Sequence, residues 1–409
     1  MPKVLITTQV YPPEIHPTAV MVRELAEYLA ANGWDVTVCA GWPHHPEGRI
    51  YSGFTRKLWS KSMQNGVTVL RAWHWLSPSR SMLARGAVFV SQAMAAAAAA
   101  MLVPACDVVL VYGPPLVGAN LGALVAARHG AKLANIVYDI YPDIAVETGK
   151  VTSPLIIGPA RLAEWLQYRA SDLTIVLSDG FKKQLVKKGV PEEKIAIIPV
   201  WLDPDEITPG PRDNEWRKEQ GIPLDKFVVL YAGTIGIVSG AAMVADAASL
   251  LKDRDDILFL FVGEGEEKAN VESRARELGL TNMVFLPFQP REKLSKVQAT
   301  ADIGLVTLLP GRGRTSVPSK VQGYMAAGRP VLGSVDEDSD TARLISDGRF
   351  GQVVASANAG KLADAIVGMS KTEKERKKMG GYARRILEKH FSKNMLLRQY
   401  DEDLRRVLI

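Results

Sequence analysis

The chain has 409 residues, 47% hydrophobic and 23% charged. That composition fills globular cores and excludes a disordered or fibrous chain, and the length exceeds one ordinary domain, so two of roughly 200 residues are expected. Formal net charge is +6, and Cys39 and Cys106 are the two cysteines, each in or beside an apolar strand-like run. This excludes a disulfide framework and suits reduced thiols in a cytosolic protein. Met1-Pro2-Lys3 leads straight into an apolar run, without the pattern of a secretory leader.

In the first half, short apolar strands are expected at 4–8, 36–40, 67–71, 108–111, 133–138, 173–177 and 195–199. Helical stretches separate most of them. One spans 20–32, with Val22, Leu25, Ala26 and Leu29 at helical spacing and Gly33 at its end. Between Glu47 and Asp107 there is no acidic residue, yet the window holds Arg49, Arg56, Lys57, Lys61, Arg71, Arg80 and Arg85. Such a window is either a solvated basic face or a contact for a polyanion: nucleic acid, anionic lipid headgroups or a phosphorylated acceptor. Residues 87–105 are almost wholly apolar and approach the length of a membrane span, but Ser91 and Gln92 interrupt them and alanine is weakly hydrophobic. A buried or surface helix is expected there, the alternative being a helix lying in a membrane surface beside the basic window.

In the second half, strands are expected at 227–231, 257–262, 284–287, 303–308, 331–333 and 352–354. The alternation of strand and helix implies an α/β fold: two Rossmann-like domains, each a parallel sheet covered on both faces. The boundaries fall at 1–202 for an N-terminal domain, 203–225 for a linker with Pro204, Pro209, Pro211 and Pro223, and 226–391 for a C-terminal domain. Residues 392–409 form an amphipathic helix, with Leu396, Leu397, Tyr400, Leu404 and Leu408 on one side, expected to pack back on the N-terminal domain.

Open α/β sheets bind ligands beyond the carboxyl ends of their strands, and the chemistry-bearing residues follow strands. Thr18 lies in the first turn of the helix after the first strand. Gly233, Thr234, Gly236 and Ser239 follow the first strand of the second half, where glycines let amides approach a phosphate. Gly263 and Glu264 close the next strand, Glu264 facing either a ligand hydroxyl or water. Asp139 ends a strand as either a proton acceptor or a turn residue. There is no Gly-x-Gly-x-x-Gly with a downstream acid, no Gly-x-Ser-x-Gly elbow and no Walker lysine. His44-His45 and the acidic run Asp336, Glu337, Asp338 and Asp340 do not have metal-ligand spacing, so no metal is expected. In the run 318–331, Ser319 is the expected helix cap and Lys320 falls in the first turn, where a cation opposes the helix dipole. An anion at that end, such as a diphosphate, would account for the pairing.

The order Tyr11-Pro12-Pro13, Asp139-Ile140-Tyr141-Pro142-Asp143, then Pro318-Ser319-Lys320 and Met325-Ala326-Ala327-Gly328-Arg329-Pro330-Val331 resembles the GT4-type retaining glycosyltransferases of GT-B fold. Within them it looks most like the branch that builds colanic acid, O-antigen and capsule, including fucosyl- and N-acetylfucosaminyl-transferases. The resemblance implies a UDP- or GDP-sugar donor held by the C-terminal domain and a polyprenyl-diphosphate-linked oligosaccharide acceptor held by the N-terminal one. It also implies retention of configuration without a protein nucleophile, and no metal or other cofactor. Many such enzymes carry two glutamates with seven residues between them, the second touching the nucleotide ribose; here those positions are Thr315 and Gly323. Thr234 and Ser239 stand where an arginine and a lysine are frequent, and Tyr138 where a histidine is usual.

On this basis Lys320 is expected to clamp the leaving diphosphate with the amides of Ser319, Gly236 and the Thr18 loop. Arg312 and Arg314 would assist, Pro287 would line the base, and Gly323 and Tyr324 would complete the donor site. Asp139 would orient the acceptor or the reacting sugar. The basic window would meet the acceptor diphosphate or the anionic inner face of the plasma membrane rather than nucleic acid. A nucleotide-sugar epimerase on the same plan, and a degenerate transferase acting as a partner protein, are the rival expectations.

Overall fold

The structure is a computed structural model, and it describes all residues except 15, 45–47, 55, 56, 80, 114, 115, 148, 150 and 315–317, together with the side chains of 82, 83 and 314. Arg56, Arg80, the Arg314 side chain and Thr315 therefore lie outside the described residues. The chain divides into two compact units, Met1–Ile198 with Leu397–Ile409, and Pro199–Leu396.

The first unit carries the strands β1 (Lys3–Thr8), β2 (Asp35–Gly41), β3 (Trp59–Gln64), β4 (Val67–Ala72), β5 (Val108–Tyr112), β6 (Lys132–Val137), β7 (Leu173–Val176) and β8 (Ile195–Ile197). They form one sheet in the order β3-β4-β2-β1-β5-β6-β7-β8, parallel except for the antiparallel pair β3–β4. Between them run α1 (Pro17–Ala31), α2 (Met82–Met101), α3 (Val117–His129), α4 (Asp143–Glu147), α5 (Pro154–Ala170) and α6 (Asp179–Lys187). The parallel strands are runs of β-branched and apolar residues, as a sheet covered on both faces requires. Strand β3, with sequence WSKSMQ, was not anticipated: it is mostly exposed and carries no apolar run. It is made by the turn at Asn65 (φ 48°) and Gly66 (φ 81°), the left-handed pair of a two-residue hairpin.

The second unit carries β9 (Phe227–Ala232), β10 (Ile257–Val262), β11 (Met283–Leu286), β12 (Ile303–Thr307), β13 (Val331–Ser334) and β14 (Gly351–Val354), in an all-parallel sheet ordered β11-β10-β9-β12-β13-β14. Its helices are α7 (Glu215–Glu219), α8 (Ala242–Ser249), α9 (Lys268–Glu277), α10 (Leu294–Ala299), α11 (Lys320–Ala326), α12 (Asp340–Asp347), α13 (Ala359–Ser370) and α14 (Glu373–His390), and α15 (Lys393–Arg406) begins in this unit. Alternate strand residues feed two cores, Val228 and Leu230 on one face, Val229 and Tyr231 on the other.

Residues 203–225, expected as a linker, are folded into the second unit. Trp216 is fully buried with its indole donating to Gln289 Oε1 at 3.0 Å, and buried Arg217 donates to the carbonyl of Lys226 at 3.0 Å. The proline- and charge-rich composition concealed this anchor. From Leu397 onward the chain belongs to the first unit, where Asp401 accepts the Trp34 indole N–H at 2.6 Å and Gln399 donates to the Ile197 carbonyl at 3.0 Å.

Candidate functional site

In the second unit β9 lies between β10 and β12, so successive connections leave it in opposite directions. The carboxyl end of β9 is the place where such a sheet opens a crevice for ligand. The loops after β9 and β10 are laced together there: the N–H of Ile235 donates to Glu264 O, and that of Gly233 to Val262 O, each at 2.9 Å. The approach leaves no room for side chains. A Cβ on Gly263 would lie 2.0 Å from the Gly233 carbonyl oxygen.

Lys320, at the start of α11, reaches this crossing. Its Nζ is 3.3 Å from the Thr234 carbonyl oxygen and 3.6 Å from the centroid of the Tyr231 ring, whose hydroxyl donates to the same carbonyl at 3.2 Å. Desolvation lowers the ammonium to about 7, with no carboxylate contributing to the shift. A cation held by one carbonyl and one ring face, with no counter-ion among the described residues, is a group that an incoming anion would hold charged.

Other expected donor residues fall in different surroundings. Ser319 has helical angles and no side-chain cap bond, so α11 starts without the expected serine cap. Tyr324 is core: fully buried, its hydroxyl accepts from Ala232 N at 2.8 Å and donates to Leu230 O at 2.9 Å. The ring occupies the space above Gly304, where a Cβ would come within 2.2 Å of it. Thr18 does not present a free amide, because its N–H donates to His16 Nδ1 at 3.1 Å and so completes the cap of α1. Glu264 is exposed and paired with Lys268 at 2.7 Å. The Ser239 hydroxyl donates to the Gly236 carbonyl at 2.6 Å, and Pro287 lies exposed after β11.

Gly323 is buried, and a Cβ there would sit 3.0 Å from Gln298 Nε2. The Gln298 amide thus fills the space into which a longer side chain at 323 would extend. The loop bearing Arg312 is anchored by Asp336, which accepts from the Gly311 N–H and the Ser356 hydroxyl, each at 2.8 Å. In the sequence Asp336 reads as one of an acidic run, although its place two residues after β13 is a signal that it can serve the crevice.

In the first unit Asp139 follows β6, and desolvation by its surroundings raises its carboxyl above the usual range. The neighbouring Tyr138 hydroxyl lies 2.5 Å from that of Tyr112. Of the basic window, Arg49, Lys57, Lys61 and Arg85 are exposed. Arg71 is not a surface contact: it is 2% exposed, donates to the Gly41 carbonyl at 2.9 Å and to that of Pro12, and stacks on Phe54. It faces the interior because β4 alternates, Val69 and Arg71 pointing away from Leu70. His44 is likewise structural, its N–H donating to buried Glu14 at 3.0 Å. Helix α2 has one window, Ala84–Met101, long and apolar enough to cross a membrane; 28% of that window is buried, and Ala96, Ala97 and Ala100 pack on the sheet.

Two family models match the chain, a glycosyl transferase 4-like domain over residues 18–201 and the glycosyl transferases group 1 domain over residues 212–386. Together they account for most of the sequence, and the protein belongs to these glycosyltransferases. WcaI of Escherichia coli, named as a colanic acid biosynthesis glycosyl transferase, is 25% identical over 98% of this chain and 100% of its own length. Among solved structures, sucrose-phosphate synthase from Thermosynechococcus elongatus superposes with a TM-score of 0.78 at 16% identity, covering 100% of this chain and 99% of that one. HepE of Anabaena, solved in complex with UDP-glucose, gives 0.72 at 17% identity and 99% coverage of both. The two α/β domains are those of the GT-B fold.

Proposed function

We propose that the protein is a retaining glycosyltransferase that moves a sugar from a UDP- or GDP-sugar to a lipid-linked oligosaccharide in cell-surface polysaccharide synthesis, at the inner face of the plasma membrane. The observation that carries the donor reading is Lys320, paired with no carboxylate among the described residues and poised over Tyr231 at the carboxyl end of β9. The name of WcaI supports the polysaccharide class, and the UDP-glucose complex of HepE supports a nucleotide-sugar donor.

In this reading the bond between the anomeric carbon and the diphosphate breaks as the acceptor hydroxyl adds from the same face. The hydroxyl proton passes to a departing phosphate oxygen. Negative charge gathers on the diphosphate, and Lys320, beside the crossing of the loops after β9 and β10, is placed to stabilise it. Asp139 orients the acceptor or the reacting sugar. No metal enters the scheme.

Lys320→Ala is expected to lower kcat by about 10²-fold or more, the usual cost of removing a donor that stabilises developing charge. Turnover near that of the native protein would overturn the assignment. The donor itself is found by thermal shift against a panel of UDP- and GDP-sugars, since a ligand of the folded state raises Tm. Conversion of a nucleotide sugar in the absence of acceptor would favour the epimerase instead.

A further inference from the structure

One face of the first sheet is only half covered. Leu5 and Thr7 of β1, Thr37 and Cys39 of β2, Leu70 and Ala72 of β4, and Trp59 and Lys61 of β3 share it by register. Helix α2 packs on its β1–β5 side through Ala96, Ala97 and Ala100. The next face of the same helix, Ala95, Ala98, Ala99 and Leu102 at i, i+3, i+4 and i+7, borders a groove of about 600 Å³ over β2, β4 and β3, with half-buried Ala99 at the edge of the packed face. That volume lies within the range of small-molecule sites. Alanines make the groove, because their side chains are too short to reach the strands opposite.

The rim is apolar and open to solvent: Leu58 is 79% exposed, Trp59 63%, Trp73 48% and Leu102 84%. A contiguous surface of this kind is rarely left to water. Exposed Lys61 lines it and exposed Lys57 precedes the rim residue Leu58 in sequence, within a stretch from 48 to 106 that contains no acid; Asp35 is the acid among the lining residues, at the end opposite Trp73. Tryptophan beside lysine around a hydrocarbon-sized groove is the chemistry of a lipid–water interface.

We propose that this groove seats the acyl chain of an anionic bilayer lipid and so docks the first unit on the membrane. The inference rests on the membrane part of the proposed function and not on the donor site. A bilayer lipid is favoured over the acceptor's own tail because the groove, which begins at Trp73 past the carboxyl end of β4, runs the length of the strands to Lys3, Asp35 and Cys106 at the amino ends of β1, β2 and β5. Reacting ligands in such sheets bind at the opposite ends, a strand length of roughly 20 Å away. The lysines match the anionic headgroup.

The test uses the full chain and vesicles of phosphatidylcholine with phosphatidylglycerol brominated along its acyl chains. The native protein is expected to sediment with the vesicles and to lose tryptophan fluorescence by contact quenching. Ala98→Phe, which fills the groove, and Trp59→Ser, which removes its rim, are each expected to lower partitioning by roughly 10-fold or more while the UDP-induced rise in Tm stays unchanged. Native-like partitioning in a folded variant of either kind, or sedimentation without quenching, would overturn the proposal. So would displacement of the brominated lipid by a short-chain prenyl phosphate but not by monomeric phosphatidylglycerol, which would give the groove to the acceptor. Loss of UDP stabilisation with vesicle binding intact would count against the donor reading alone.

Discussion

If Lys320 holds the diphosphate as proposed, nucleotide binding depends on pH through its charge. Burial lowers its ammonium from the ordinary 10.5 to about 7, so at pH 8 about one free molecule in ten carries the charge. A bound diphosphate restores the ammonium, and binding at pH 8 then takes up about 0.9 proton through this group. Affinity is expected to fall by about 50-fold between pH 7 and pH 9, a slope approaching tenfold per unit. The nucleotide's own terminal phosphate titrates on the order of pH 6 and does not mask the effect. Calorimetry of UDP binding in buffers of different ionisation enthalpy measures the uptake directly. Lys320→Arg, which stays charged, should bind with a flat profile. A change of less than about twofold across that range, with heats independent of buffer, would refute the assignment of Lys320 to the anion. The folded protein alone moves the other way: its lysine binds fewer protons than the unfolded chain between about 7 and 10.5, so this group adds stability as pH rises through that window.

Gly304→Ala should destabilise the second unit by about 1–3 kcal/mol or more, because its Cβ would meet the Tyr324 ring at 2.2 Å and that ring is fixed by its hydroxyl bonds; urea denaturation midpoints measure it. Arg71→Gln should cost about 2–4 kcal/mol by leaving buried carbonyls unpaired, with vesicle partitioning of the folded fraction unchanged, whereas Lys61→Gln should weaken partitioning without lowering Tm.

Every strand except β3 was legible because each is a short, mainly apolar run, and the burial of most of them leaves that mark on composition. Lys320 was legible for a different reason: a cation in the first turn of a helix opposes the dipole and so asks for an explanation. Tyr324, one turn along the same helix, was placed in the donor site because a sequence gives the stripe a residue lies on but not where that stripe passes from crevice to core. Arg71 was misplaced by the same ambiguity. Charge counts do not say which face of β4 a residue occupies, and the inward face here holds carbonyls for a guanidinium to satisfy.

The groove was illegible for the reason that β3 was. A strand exposed on one face has no apolar run, and only the Asn65-Gly66 pair announced it. Without β3, Trp59 and Lys61 are scattered members of a basic window; with it, register places them beside Leu70 and Ala72 and opposite the alanines of α2. The run of alanines that hydropathy could assign either to a core or to a membrane surface divides accordingly, Ala96, Ala97 and Ala100 closing on the sheet while Ala95 and Ala98 border the groove. The division follows from helical periodicity alone, since residues one turn apart keep to one face and adjacent residues do not. A helix of leucines would have filled the space over β3 and β4, so the small side chains that weaken the hydropathy signal are also what keep the groove open.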